Sequence, residues 1–200
     1  MEDRTLMRPG TSRVLAAAVV SMITLTGCSG GSDDKPASAP SPTASPTSAA
    51  PEPASDPAAV VTVTGRLDPD RRRALAASVT EVVDRWLDGA CLGDFPRTDY
   101  TAAFTDFTAG AAAKAKRDLA LMTNHDLSSK IARAEATKRT ISLDVLSLKQ
   151  RPVGVTAKVD LAFETSGGQA GAHEITGTLD LTPVGHAWKI FGFEISRRQA

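Results

Sequence analysis

The segment VGVTAKVDLAF, residues 153–163, decides the fold of this chain. Its apolar side chains recur at every second position: Val153, Val155, Ala157, Val159, Leu161 and Phe163. Successive side chains of a β-strand point to opposite faces, so this alternation predicts a strand with one buried face. The sequence Ser166-Gly167-Gly168 follows and predicts the turn that ends the strand.

The same period of two continues on both sides of this segment. The upstream strand is predicted by Ile141, Leu143 and Val145. It begins near those residues or as early as Ile131. The next strand is predicted by Ile175, Leu179 and Leu181. Pro183-Val184-Gly185 predicts the turn after it.

The last strand changes its pattern halfway. Its apolar side chains are Trp188, Ile190, Phe191, Phe193 and Ile195. The change of parity between Ile190 and Phe191 predicts either a β-bulge or burial on both faces of the strand. Trp188 is expected to lie in the core, where it closes the sheet against the first helix near Val83 and Trp86.

Helical patterns precede the strands. Asp68 as N-cap and Pro69 at the first helical position predict the start of a long helix, and Gly89 predicts its end. Its buried face is predicted by Leu75, Val79, Val82, Val83 and Trp86. Residues 71–73 are three arginines, which oppose the helix dipole and predict a solvated charged face rather than a binding patch.

Residues 98–123 predict one or two shorter helices, with Gly110 as the break between them. An apolar stripe is formed by Tyr100, Phe104 and Phe107. Before the first helix, residues 60–63 predict a short strand or an extended lead-in. Helices followed by strands indicate the α+β class, with the N-terminal helices packed on one side of a curved antiparallel sheet.

The first residues of the chain resemble a lipoprotein signal peptide. Leu25-Thr26-Gly27-Cys28 matches a lipobox, and it follows a basic segment and an apolar run from Val14 to Leu25. We therefore predict that residues 1–27 are removed and that Cys28 carries a diacylglycerol anchor with a further acyl chain, such as palmitate. The alternatives are an ordinary cleaved secretory signal with an incidental cysteine, or an uncleaved anchor.

Composition divides the rest of the chain. Residues 28–57 are rich in Ser, Pro and Ala without an aromatic residue, which predicts a disordered tether, and residues 58–200 form one domain. Lys plus Arg equal Asp plus Glu at 23 each, so no positive field favours nucleic acid. Acylation of Cys28 would leave Cys91 without a disulfide partner, and Cys91 is expected to be a small packed side chain.

The pattern of elements resembles a known superfamily. A long first helix, shorter helices, a curved meander and the final element PVGHAWKI at 183–190 are similar to nuclear transport factor two-like, cystatin-like cone domains. The likeness is to small actinobacterial lipoproteins and to the SnoaL-like and Mce-associated branches. The resemblance implies a cone that hosts a ligand pocket, an enzyme site or a protein-binding surface.

No arrangement of residues predicts catalysis. The sequence lacks a phosphate loop, a Ser-His-Asp pattern and zinc spacing, so no cofactor or metal is predicted. The aspartates at 144, 160 and 180 alternate with inward apolar residues and are expected to face solvent. Histidines 125, 173 and 186 fall in or beside turns. Tyr100 with Asp99 or Asp106 could supply a proton donor and a base, but packing of Tyr100 on Phe104 is the simpler account.

Two functions therefore remain. The favoured one is a non-catalytic module, anchored by lipid on the extracytoplasmic face of the cell membrane, that binds a cell-envelope protein or a small apolar ligand in the cone. The wall or core residues of that cone are predicted to be Trp86, Tyr100, Phe104, Phe107 and Trp188. The alternative is a ketosteroid isomerase-like or polyketide cyclase-like enzyme that acts on an apolar substrate, which a buried carboxylate or imidazole in the pocket would favour.

Overall fold

The computed structural model describes residues 59–199. The predicted signal peptide at 1–27, Cys28 and the tether at 28–57 lie outside the described residues. Within them the elements are β1 (Ala59–Thr64), α1 (Pro69–Ala90), β2 (Gly93–Asp94), α2 (Ala109–Arg117), α3 (Leu119–Met122), β3 (Arg133–Leu148), β4 (Arg151–Ser166), β5 (Gly171–Val184) and β6 (Ala187–Gln199). Two 3₁₀-helices cover Thr101–Phe104 and His125–Leu127.

A mixed α+β architecture results, as predicted. The six strands form a curved, open sheet in the order β1-β3-β4-β5-β6, with the short β2 paired to β3. The meander from β3 to β6 is antiparallel, whereas β1 pairs in parallel with β3. The long connection through α1 explains the parallel pair, because a tight hairpin can join only antiparallel strands.

The helix α1 begins where the sequence predicts. The carboxylate of Asp68 accepts the backbone N–H of Arg71 at 2.9 Å, and Pro69 is the first helical residue. The predicted end at Gly89 is one residue early, since Cys91 is the C-cap. A Cβ at Gly89 would lie 3.1 Å from Cα of Ala103, so this glycine lets the 3₁₀-helix pack closely on α1.

The predicted break at Gly110 is wrong, because Gly110 is the second residue of α2. The helix begins after Thr108, whose hydroxyl accepts the N–H of Ala111. The preceding segment pairs with the edge of β6, with Thr108 N–H donating to the carbonyl of Ile190 at 2.8 Å. The cap at Thr108 is a local signal that the predicted break at Gly110 missed, and the long-range backbone pairing with β6 adds to it.

The strand predictions are confirmed, with β3 starting near the earlier of the two expected positions. One residue of the predicted buried face is wrong: Val153 is 36% exposed, because β5 covers β4 only from Val155 onward. In β6 the parity change is a bulge: Asp180 pairs with Gly192 and Leu181 with Ile190, so Phe191 is the extra residue. Burial on both faces is wrong, because Phe191 is 53% exposed. All of the buried apolar side chains form one continuous core between the helices and the sheet.

Candidate functional site

The side of the sheet that carries the helices is filled by bulky side chains. Trp86 on α1, Phe104 and Phe107 are 1%, 5% and 6% exposed and belong to the same core. The rings of Phe104 and Phe107 meet edge to face at 5.3 Å, and the indole N–H of Trp86 donates to the carbonyl of Met122 at 3.2 Å. These residues of the expected pocket are core residues.

Tyr100 lies at the margin of this core, next to the 3₁₀-helix at 101–104. Its side chain is buried, which raises the pKa of its hydroxyl, and its ring meets that of His125 edge to face at 6.2 Å. Tyr100 and Phe104 line a small pocket of about 180 Å³ with Asp99, Lys116 and other side chains. The structure therefore places Tyr100 beside Asp99, directly before the 3₁₀-helix at 101–104, whereas the sequence predicted that it lies on one of the shorter helices.

Trp188 is only partly buried, which corrects the expectation of a core position. It lies opposite Pro183 at the second position of β6, beside the turn that joins β5 to β6. Its ring packs on the margin of the core, whereas Trp86 lies within it. The two tryptophans have different environments because the strand carries Trp188 to the end of the sheet.

The three strand aspartates face outward, as predicted. Asp144 pairs with Lys158 at 2.7 Å, and this hydrogen bond holds the pKa of Asp144 below its usual value. Asp160 pairs with Lys138, and the carboxylate of Asp180 accepts the hydroxyl of Thr156 at 2.8 Å. None of these carboxylates enters the core.

The histidines are in three different settings. His125 and His186 are exposed, in a 3₁₀-helix and in the β5–β6 turn. His173 on β5 is stacked on Phe163 with ring centroids 5.2 Å apart, and burial lowers the pKa of its imidazole. Its Nε2 lies 3.3 Å from the hydroxyl of Thr165. The oxygen of that hydroxyl lies closer to the carbonyls of Gln169, at 2.8 Å, and Gly171, at 3.1 Å, which are the acceptors for its proton. This pair stabilises a hairpin end.

Asp106 holds together three parts of the fold. Its carboxylate accepts from Nε of Arg85 on α1 at 2.6 Å and from Nζ of Lys189 on β6 at 3.0 Å. Burial alone would raise the pKa of Asp106, but the hydrogen bonds from Lys189 and Arg85 outweigh it and the pKa is lowered. The sequence offers Asp106 as a possible base beside Tyr100. In the structure its carboxylate instead forms ion pairs with Arg85 and Lys189.

A cation on the helix-facing side of the sheet is absent from the sequence predictions. Arg139 on β3 is 12% exposed and donates to Asp84 at 2.8 Å and to Asp88, both on α1. Burial raises the pKa of Asp84 in spite of Arg139. Arg139 lies two residues before Ile141, so it has the same parity as the inward apolar residues of β3. This parity is the sequence signal that its side chain points inward. Its role is to connect the helix to the sheet.

Cys91 is a packed side chain, as predicted. It is 0% exposed at the end of α1, and burial raises the pKa of its thiol. The adjoining carbonyls are satisfied by Arg97, which donates to Gly89 at 2.6 Å and to Leu92 at 2.9 Å. A buried thiol with a raised pKa is a poor nucleophile.

Apolar side chains are exposed on the opposite face of the sheet. Leu146 on β3 and Phe191 in the bulge of β6 are 46% and 53% exposed, and both line a shallow groove of about 190 Å³. Gly154 forms its floor, and a Cβ there would meet no atom closer than the carbonyl oxygen of Leu181 at 4.0 Å. We call this feature, with Thr156 and Asp180, the outer-face groove. The sequence revealed the bulge but not the groove, because register brings these residues together.

No protein-family model matches this chain, and neither does any curated protein sequence. Among residues 59–199, no helix is both long and apolar enough to cross a bilayer. The outer-face groove and the charged residues of the sheet are therefore the features that bear on function.

Proposed function

We propose that this protein is a non-catalytic module, anchored by lipid on the extracytoplasmic face of the cell membrane, that binds a cell-envelope protein through the outer-face groove. The proposal includes a nuclear transport factor two-like cone as the finer description of the α+β fold. The element order, with helices on one side of a curved meander, supports that description.

The groove itself carries the proposal. A soluble surface contains scattered apolar side chains, but Leu146 and Phe191 flank one depression whose glycine floor lets a partner approach the backbone. Burial of such side chains in a complex contributes roughly 25 cal/mol per Å² of apolar surface. Large apolar anchors of this kind dominate the energy of protein interfaces.

Charge indicates what the partner presents. The carboxylate of Asp180 lines the groove and accepts only the hydroxyl of Thr156 among its described polar contacts. Asp144, on the other wall, has Lys158 as its partner. We therefore expect a partner segment with an apolar side chain beside a lysine or arginine that reaches Asp180.

Packing on the helix-facing side favours a protein partner over a small apolar ligand in the cone. A ligand there would have to displace Trp86, Phe104 or Phe107, which are core side chains. Of the half-buried groups that could act as a base, Asp84 pairs with Arg139, Asp106 pairs with two cations, and the imidazole of His173 is stacked on Phe163. The outer-face groove requires no such rearrangement.

A photo-crosslinker at position 191 tests the proposal. Phe191 is replaced by benzoylphenylalanine in the anchored chain, and cell envelopes are irradiated. We expect one discrete adduct that disappears when Gly154→Val fills the groove, because a valine side chain has room there without a clash. The matched control is Ala162→Val on the same strand and face, which should leave the adduct intact.

Two results would contradict the proposal. An adduct that Gly154→Val does not reduce would place the contact elsewhere. An adduct formed equally from benzoylphenylalanine at Ser196, at the other end of β6, would indicate unspecific proximity.

The anchor is tested separately through Cys28. Cys28→Ala should abolish labelling by an alkyne fatty acid and either release the protein from the membrane fraction or leave it uncleaved. Label that persists on the Cys28→Ala chain would show that the lipid is attached elsewhere.

A further inference from the structure

One end of the sheet combines exposed apolar side chains with basic ones. The β3–β4 turn at 148–151 and the β5–β6 turn at 184–187 lie at this end, because β3 to β6 alternate in direction. The start of α1 joins them: Nη1 of Arg71 donates to the carbonyl of Gln150 at 2.6 Å, and the carbonyl of Arg66 accepts from Ser147 at 2.6 Å. We call residues 66–73 and these two turns the tip surface.

Apolar side chains project from both turns. Leu148 is 60% exposed and Val184 is 52% exposed, and Val153 next to the first turn is 36% exposed. Such exposure costs free energy in water, because apolar surface gains from burial. Exposed apolar side chains that are grouped at one end of a molecule are typical of an interaction surface.

Basic residues share this end of the sheet with the apolar side chains. The tip surface contains the basic residues Arg66, Arg71, Arg72, Arg73, Lys149 and Arg151. Its acidic residues are Asp68 and Asp70, which pair with Arg71 and Arg73. The whole chain has a formal net charge of +0, so the positive excess is local. At the opposite end of the sheet, Arg133 pairs with both Asp94 and Glu135.

We propose that the tip surface binds an anionic lipid surface, with the two turns inserted at the headgroup level and the basic side chains on the lipid phosphates. A surface that combines exposed apolar turn residues with an excess of cations is complementary to the bilayer interface. The inference rests on the proposed anchor only in so far as the anchor brings the tip surface to a membrane. Tip binding would orient the outer-face groove beside the bilayer, toward a membrane-associated partner.

Depth-dependent quenching on the anchored full chain tests this inference. His186→Cys in the β5–β6 turn and Ala170→Cys in the opposite β4–β5 turn are labelled with bimane; both positions are exposed. Cys91 is buried and adds little background, which the parent chain measures. The proteins are mixed with vesicles of phosphatidylcholine, or of equimolar phosphatidylcholine and phosphatidylglycerol, that contain nitroxide lipids.

We expect quenching of the label at position 186 on the phosphatidylglycerol vesicles and little at position 170. The triple variant Arg73→Gln/Lys149→Gln/Arg151→Gln should lower the ratio of docked to free tips about fivefold per basic residue, or about a hundredfold in total. A matched control, Lys116→Gln/Arg117→Gln/Lys130→Gln, removes three exposed cations outside the tip surface and should leave quenching unchanged.

Each other outcome is decisive. Equal quenching at 170 and 186, or equal quenching at 186 on both kinds of vesicle, overturns the inference. Failure to float with pure phosphatidylcholine vesicles means that the lipid anchor is absent. If such a protein shows quenching of the label at position 186 on phosphatidylglycerol vesicles, membrane binding by the tip surface still stands. If the label is not quenched, the inference fails. If the crosslinked adduct forms at the outer-face groove but the label at position 186 is not quenched, the proposed function is retained and membrane binding by the tip surface is rejected.

Discussion

The two faces of the sheet use large apolar side chains in opposite ways. On the helix-facing side, Trp86 and Phe163 are each 1% exposed and fill the space under α1. On the outer face and at the turns, Phe191 and Leu148 are 53% and 60% exposed. The first arrangement stabilises the fold, and the second leaves apolar surface for another molecule.

This difference changes where binding should be sought in a fold of this kind. Trp86, Tyr100, Phe104 and Phe107 precede the long strands in the sequence, and the resemblance to cone domains suggested a ligand among them. Packing instead uses these aromatic residues for stability, because a domain of about 140 residues needs most of its large side chains to form a core. The apolar residues at bulges and turns remain exposed and contribute less to this core.

The largest effect in this comparison is expected for Trp86→Ala. Removal of a fully buried tryptophan leaves a cavity and also frees the carbonyl of Met122, so the free energy of unfolding should fall by about 3–5 kcal/mol. Denaturant titration of the purified variant measures it. A loss under about 1 kcal/mol would mean that the helix-facing side is loosely packed and open to a ligand.

Asp106→Asn should have the next largest effect, because it leaves Arg85 and Lys189 without their common carboxylate. We expect a loss of about 1–3 kcal/mol at neutral pH, as for other hydrogen-bonded charges that lose a partner. The side chain of Asp106 is 12% exposed, so solvent screens the interaction only in part. Titrations with denaturant at neutral pH supply the value.

The pH dependence of this variant has a definite sign. The pKa of Asp106 is lowered in the folded state, so its stabilising contribution is complete above the unfolded pKa of about 3.9 and is lost as the pH falls through the folded pKa. The stability gap between the wild type and Asp106→Asn should therefore narrow in acid. A gap that stays constant down to about pH 2 would show that the ion pairs contribute nothing.

The elements of this fold could be predicted because their signals are local. Asp68 and Pro69 start α1 through a cap that spans three residues, and the alternation of β4 reports one buried face directly. The parity change at Phe191 likewise indicated a bulge. The start of α2 has a local cap at Thr108 that the predicted break at Gly110 missed, whereas the pairing of Thr108 with Ile190, 82 positions away in the chain, could not be predicted.

The candidate sites were harder to predict for the same reason. Leu146, Gly154 and Phe191 belong to three strands, and only their register places them around one groove. The three arginines at 71–73 are exposed, as the prediction of a solvated face requires, but the sequence does not show that the β3–β4 turn lies beside them. Trp188 was expected in the core because the pattern does not say where the sheet ends.

Trp188→Ala sharpens the comparison, since this residue lies between the two regions. Its ring is partly buried, so we expect a loss of about 1–2 kcal/mol, less than half of that for Trp86→Ala. Thermal and chemical unfolding measured side by side with Trp86→Ala give the ratio. Equal losses for the two variants would place Trp188 in the core, as the sequence pattern suggested.

The smallest effect on stability is expected for Phe191→Ser. Phe191 is the extra residue of a bulge, its side chain points away from the core, and its neighbours Ile190 and Gly192 keep their partners Leu181 and Asp180 without it. The free energy of unfolding should therefore change by no more than about 0.5 kcal/mol, as for other surface positions.

The same variant removes one wall of the outer-face groove and should abolish capture of the partner identified by crosslinking. Unfolding and capture are measured on one preparation, with Thr176→Ser on the same outer face as control. A large loss of stability would make Phe191 part of the fold, and undiminished capture would remove it from the interface.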